Sequence, residues 1–120
     1  MASNVLGGNL EQCCLDPVTG YYRNGKCDTG KGDHGMHCVC VEMTDEFLQF
    51  AKSQGNDLIT PMPENEFPGL ESGNKWCVCI GTVVDAIASD VNTKIVLKST
   101  HISVKEFLDM DVLLKHGIDA

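Results

Sequence analysis

Two cysteine pairs at Cys-x-Cys spacing carry the most distinctive chemistry of this chain: Cys38-Val39-Cys40 and Cys77-Val78-Cys79. Each lies in an apolar, β-branched run. Side chains alternate faces along a strand, so each pair is expected to point one way. Its two Cα atoms would stand about 6.6 Å apart, a poor arrangement for a bond within the pair. Two pairs on neighbouring strands can bond across the strands or present four sulfurs to a tetrahedral metal such as zinc. Structural zinc usually sits in wrapped Cys-x2–4-Cys turns, and buried free cysteine packs as a small hydrophobe. Core packing of reduced thiols is therefore the default expectation for Cys38, Cys40, Cys77 and Cys79.

Three further cysteines, Cys13, Cys14 and Cys27, lie upstream. Cys27 has Lys26 and Arg23 nearby, and a cationic neighbourhood favours a thiolate. With His37 or His101 as base, Cys27 is the candidate nucleophile, although no cysteine-protease or Cys-x2-Cys signature supports it. On a strand His37 points away from Cys38, and its plain reading is a histidine hydrogen-bonded to local backbone. Arg23, His37, Asp57, Trp76 and His101 are the candidate binding residues. Turn formation is the default for Asp16, Asp33, Asn56 and Asp57, and core anchoring for Trp76.

These groups must be positioned by one domain, 1–120, since 120 residues suit a single core that needs neither disulfides nor metal to fold. The formal net charge of -8 argues against binding to nucleic acid or an anionic membrane. The N-terminus lacks a basic region followed by an apolar one, and no apolar run reaches spanning length, so the expectation is a soluble cytoplasmic protein. Its thiols would then stay reduced, which the odd count of seven also suggests.

Residues 1–35 are dense in turn formers and read as an ordered coil. Asn24-Gly25 is its best hairpin-turn candidate and Asp16-Pro17 an expected Asx turn. Residues 36–43 (MHCVCVEM) read as a central strand with two apolar faces. Thr44 caps a helix over 45–54, with Asp45 and Glu46 in its first turn and Phe47, Leu48, Phe50 and Ala51 as its apolar stripe. Pro61, Pro63 and Pro68 keep 56–75 a long connection, a length more often functional than idle. Strands follow at 76–81 and 94–99. Residues 82–88 form either a short helix or continued strand. Ser103 caps a helix through Leu108, and a last turn runs over 111–115.

Several ordered motifs resemble one family. They are Asp16-Pro-Val-Thr-Gly-Tyr-Tyr-Arg23, Met43-Thr-Asp-Glu-Phe-Leu48, Gly55-Asn-Asp-Leu58, Phe67-Pro-Gly-Leu70, Trp76-Cys-Val-Cys79 and Thr100-His101. Together they are similar to the small bacterial family catalogued as domain of unknown function 2237, across nearly the whole chain. The resemblance implies a stand-alone soluble protein and no particular activity. It implies that Cys13, Cys27, Cys40, Cys77, Cys79, His37 and His101 occupy family positions, with Cys14 and Cys38 as additions. Cys13, Cys27, Cys40, Cys77 and Cys79 then become the candidate metal ligands, with zinc as the candidate cofactor.

The expected fold is α+β: a small, mostly antiparallel sheet with a packed helix and an ordered Gly-rich N-terminal coil. A small β-barrel with peripheral helices is the alternative. The leading functional expectation is a ligand-binding domain with its pocket between the coil, the 56–75 loop and the sheet. A thiolate metal or thiol-redox protein, an enzyme using Cys27, and a structural or partner-binding module are the alternatives. A small-molecule or protein partner and a homo-oligomer stay open.

Overall fold

In a computed structural model of the chain, describing residues 2–15, 18–65 and 67–119, the first regular element is the strand β1, Val39–Glu42. It is the middle strand of a three-stranded antiparallel sheet, between β2 (Lys75–Val78) and β3 (Lys94–Ile95). Val39, Cys40, Val41 and Glu42 face Val78, Cys77, Trp76 and Lys75, while Val41 and Glu42 also face Ile95 and Lys94. A central position explains the near-continuous apolar character of β1, since both of its faces are covered. The sheet is open, with edges at β2 and β3, so the fold is α+β and the barrel alternative fails.

β1 is shorter than the expected 36–43 because Met36 takes a left-handed φ of 49°. That conformation breaks an extended run in any residue other than glycine. The helix α1 follows at Asp45–Ser53, with the Thr44 hydroxyl accepting the Phe47 N–H at 3.0 Å. Phe47, Leu48 and Ala51 are buried along one stripe. Burying the Phe47 side chain alone contributes about 2–3 kcal/mol.

β2 ends at Val78, short of the expected 76–81, and Ile80–Ala88 forms the helix α2. The buried residues Ile80, Val83 and Ala86 recur every three, a helical period that a strand cannot bury on one face. Cys79 is the residue between strand and helix, at the N-cap position. The expected strand 94–99 likewise keeps only Lys94–Ile95 and then tightens into a 3-10 turn at Leu97–Ser99. The Asp119 carboxylate takes the Leu97 and Lys98 N–H groups at 2.7 and 3.0 Å, and the Thr100 hydroxyl takes the Cys40 N–H at 3.1 Å. Side chains thus replace the strand ladder there. A 3-10 helix covers Ile102–Glu106, capped by the His101 ring, which accepts the Ser103 N–H, so the cap is His101 and not Ser103. The last helix, α3, spans Met110–His116.

The N-terminal segment is ordered coil. Gly25 (φ +83°) forms a turn after Asn24, without flanking strands in place of the expected hairpin. The Asx turn expected at Asp16-Pro17 lies outside the described residues. The coil covers the free edge of β2, where the fully buried Thr19 hydroxyl accepts the Cys77 N–H at 2.9 Å. This blunts an edge that otherwise exposes unpaired backbone. The main core gathers Val39, Val41, Phe47, Val83, Ile95, Leu97 and Leu113. A second, smaller cluster is made of Cys13, Cys27, Cys40 and Cys77.

That second cluster corrects the expectation of reduced core thiols. Cys13 is bonded to Cys40 and Cys27 to Cys77, leaving Cys14, Cys38 and Cys79 free. The pairs join strand to coil, a possibility the sequence reading missed because it sought partners only between strands. No helix among the described residues is long and apolar enough to cross a membrane.

Candidate functional site

A cleft of about 370 Å³ opens between the coil, the 56–75 connection and β2. Gly20, Tyr21 and Arg23 line it from the coil, His37 from the approach to β1, and Asn56, Asp57, Leu58, Met62 and Phe67 from the connection. Trp76, Cys77, Val78 and Cys79 form its floor. A small-ligand site of this kind is mostly apolar with a few convergent polar groups, in a volume of about 300–1,000 Å³.

The floor is rigid. Trp76 is buried and meets Phe67 edge to face, with ring centroids 5.0 Å apart. The Arg23 guanidinium lies over the Trp76 ring, 5.1 Å from its centroid. Such stacking holds a cation without neutralising it. Arg23 reaches that position from a left-handed backbone, φ 54°. With Met36, which precedes His37, it is one of three non-glycine residues in this strained region among the described residues; the third, Asp90, follows α2. Two of the three therefore aim cleft residues, and strain of this kind persists where surrounding structure over-determines it.

His37 is held by Asp33, one helical turn earlier in sequence. Its Nδ1 lies 2.6 Å from Asp33 Oδ1, and its backbone N–H donates to Oδ2 at 2.8 Å. The Asp33 side chain is 1 % exposed. The Thr29 hydroxyl completes its shell at 3.0 Å. Burial pushes the Asp33 carboxyl up, but the His37 N–H, the His37 ring and the Thr29 hydroxyl outweigh it and hold it below the usual range. The partner of His37 is thus a buried carboxylate and not local backbone.

Cys79 is a free, half-buried cysteine that lines the cleft. Asn56 Nδ2 donates to its sulfur at 3.5 Å, and the Thr82 hydroxyl lies 3.3 Å from it. Asp57 stands beside Asn56 with its carboxylate accepting the Ile59 and Thr60 N–H groups at 2.9 and 3.1 Å. The Thr60 hydroxyl first, and then the Thr60 and Ile59 N–H groups, hold the exposed Asp57 carboxyl below its ordinary value.

The cleft therefore brings together Arg23, His37, Asp57 and Trp76. It does not include His101, whose Nδ1 serves Ser103 and whose Nε2 lies 3.6 Å from Asp28. Nor does it include a Cys27 nucleophile: that sulfur is fully buried and bonded to Cys77, so Cys27 has no thiol to ionise. Among the candidate metal ligands, the sulfurs of Cys13, Cys27 and Cys77 lie within 4.8 Å of one another, a spacing that can hold a metal ion. Metal needs thiolates, and all three sulfurs, like that of Cys40, are consumed in S–S bonds. Cys79 stands apart from that cluster, in the cleft. Sequence reasoning treated Cys79 as a ligand or core residue and Asp33 as a turn former. The Asp33-to-His37 spacing of four was the available sign of their pairing.

These features define a small α+β protein braced by two disulfides around an open polar-rimmed cleft. Residues 3–117 match the family described as "Uncharacterized protein conserved in bacteria (DUF2237)", and the chain belongs to it. No curated protein matches the chain.

Proposed function

We propose that the protein is a ligand-binding domain whose cleft takes a small molecule with a flat apolar part and an anionic group. One observation carries this reading: Arg23, His37, Asn56 and Asp57, drawn from three separate segments, converge over the Trp76–Phe67 floor. The floor offers aromatic stacking, and the stacked Arg23 offers a charge-assisted hydrogen bond to a carboxylate or phosphate. A purely structural or partner-binding module has no use for polar groups gathered inside a concavity, and that argues for the ligand.

Trp76 is the single tryptophan of the chain, so its fluorescence reports on the cleft alone. Titration with benzoate, indole-3-acetate and phenyl phosphate is the test. Saturable quenching by at least one probe, weakened about tenfold or more by Arg23→Gln, is the expected result. No saturable change with any probe, in fluorescence or in the amide resonances of residues 20–23 and 56–58, overturns the proposal.

A further inference from the structure

We propose that Cys79 is the nucleophile of an acyl-transfer site in this cleft, with His37 as its base and Asp33 as the positioning residue. The inference rests on the ligand-cleft reading and assigns its chemistry: a small ester or thioester bearing an anionic group.

Cys79 and His37, from separate segments, line one cleft, and Asp33, four residues before His37, holds the His37 ring. Cys79 stands where β2 turns into α2, lines the cleft and is free of any S–S bond. His37 lines the same cleft. Its Nδ1 is taken by Asp33 at 2.6 Å, which orients the ring and leaves Nε2 as the nitrogen that Asp33 does not engage. Asp33 is buried and itself anchored by Thr29 and by the His37 N–H, so the base is oriented by a third, immobile group. Asn56 adds an amide donor beside the sulfur. The Gly81 and Thr82 N–H groups, in the first turn of α2, have no carbonyl to bond within the helix and are available to an oxyanion forming next to Cys79.

The other free thiols do not fit this role. Cys38 is fully buried, and burial pushes its thiol up to about 11. Cys14 does not line the cleft. A redox cycle at Cys79 lacks an accessible resolving thiol, since Cys77 is bonded to Cys27 and Cys38 is enclosed. Acyl transfer needs none.

In the step, the Cys79 S–H proton passes to His37 Nε2 as the sulfur forms a C–S bond to the acyl carbon. The carbonyl electron pair moves onto oxygen. Collapse of that oxyanion breaks the bond to the alcohol or thiol leaving group, which takes the proton from His37. Water then attacks the acyl carbon of the thioester, forming a C–O bond and giving its proton to His37. The C–S bond breaks and Cys79 regains a proton. The products are a carboxylic acid and an alcohol or thiol, with no net oxidation.

The test uses the full chain with its disulfides intact. Iodoacetamide labelling, followed by peptide mapping, ranks the three free thiols. p-Nitrophenyl acetate supplies an acyl group whose release is followed optically and whose attachment is read by intact mass. Cys79 is expected to label fastest and to carry the +42 Da acetyl, a mass set by the probe at roughly one per chain. His37→Asn keeps a donor to Asp33 but removes the base, and is expected to slow acylation roughly 100-fold. Asp33→Asn is expected to slow acylation far more than it weakens benzoate binding, a split that general unfolding does not produce. Cys79→Ser is expected to lose the acetyl adduct and retain fluorescence quenching by benzoate. Acetylation mapped to Cys14 or Cys38, or His37→Asn acylating at the wild-type rate in a folded protein, overturns the inference. Cys79 acylation without saturable benzoate binding would overturn the ligand reading alone. Binding without Cys79 acylation would overturn the inference alone.

Discussion

Cys40 and Cys77 face each other across β1 and β2, yet neither is bonded to the other; each is tied instead to the N-terminal coil, Cys40 to Cys13 and Cys77 to Cys27. The sheet is thereby stapled to the segment that supplies Arg23. The bonds span sequence separations of 27 and 50 residues. In the chain-entropy account, loops of that size contribute about 3–4 kcal/mol each. Cys13→Ser with Cys40→Ser, or Cys27→Ser with Cys77→Ser, is expected to lower the urea midpoint accordingly. Thiol titration of the unfolded, unreduced chain should find the three cysteines Cys14, Cys38 and Cys79, and titration after reduction all seven. Seven thiols before reduction would refute the pairing.

Asp33 predicts a loss of stability in acid. Its folded carboxyl is held below the ordinary value of 3.8. At higher pH both folded and unfolded forms are ionised and the stabilisation is complete. As pH falls below about 4, the unfolded chain takes up a proton first, and the stabilisation drains until the folded carboxyl protonates as well. Urea midpoints between pH 2.5 and 6 should therefore fall more steeply for the wild type than for Asp33→Asn. Parallel curves would remove Asp33 from the account.

Burial sets the reactivity of Cys38. With its thiol pushed up to about 11, by burial first, it stays protonated and enclosed at neutral pH. Alkylation of Cys38 in the native protein at pH 7.5 should be slow, and should become fast on adding denaturant. Equal rates in both conditions would contradict its position.

Gly20 sits at φ +98° in the wall of the cleft, and a Cβ there would clash with the Lys26 carbonyl oxygen. Gly20→Ala must move backbone and is expected to cost more than about 1 kcal/mol. The same shift displaces Arg23 three residues on, so Trp76 emission should change in the folded variant. A variant with wild-type stability and emission would rule out this tight turn.

Thr44→Ala removes the acceptor of the Phe47 N–H at the start of α1. The expected loss is about 1 kcal/mol, read from the denaturation midpoint.

Legibility in the sequence followed the strength of local signals. The helix at 45–53 was readable because cap, first-turn charge and apolar stripe agree. The central strand was readable from two apolar faces. The ends of the later strands were not, because they depend on distant side chains: Asp119 and Thr100 take over the backbone donors near Leu97 and Cys40. The disulfides were hidden by an argument from compartment and parity that carries no geometry. The cleft was legible in outline, since a long proline-broken loop beside a tryptophan strand suggests one. The free thiol at its end was not, because the break between β2 and α2 decides where Cys79 points.

Of the jaws around the cleft, only one is welded. The coil carrying Arg23 is linked covalently to the sheet at two points, whereas the Asn56–Met62 side is tied by hydrogen bonds and packing, among them Leu70 N–H to the Leu58 carbonyl at 2.9 Å. Any widening to admit a guest is therefore asymmetric. Movement is expected on the Asn56–Met62 jaw, with the arginine jaw as the anvil, and amide exchange should be faster on the side without a covalent link.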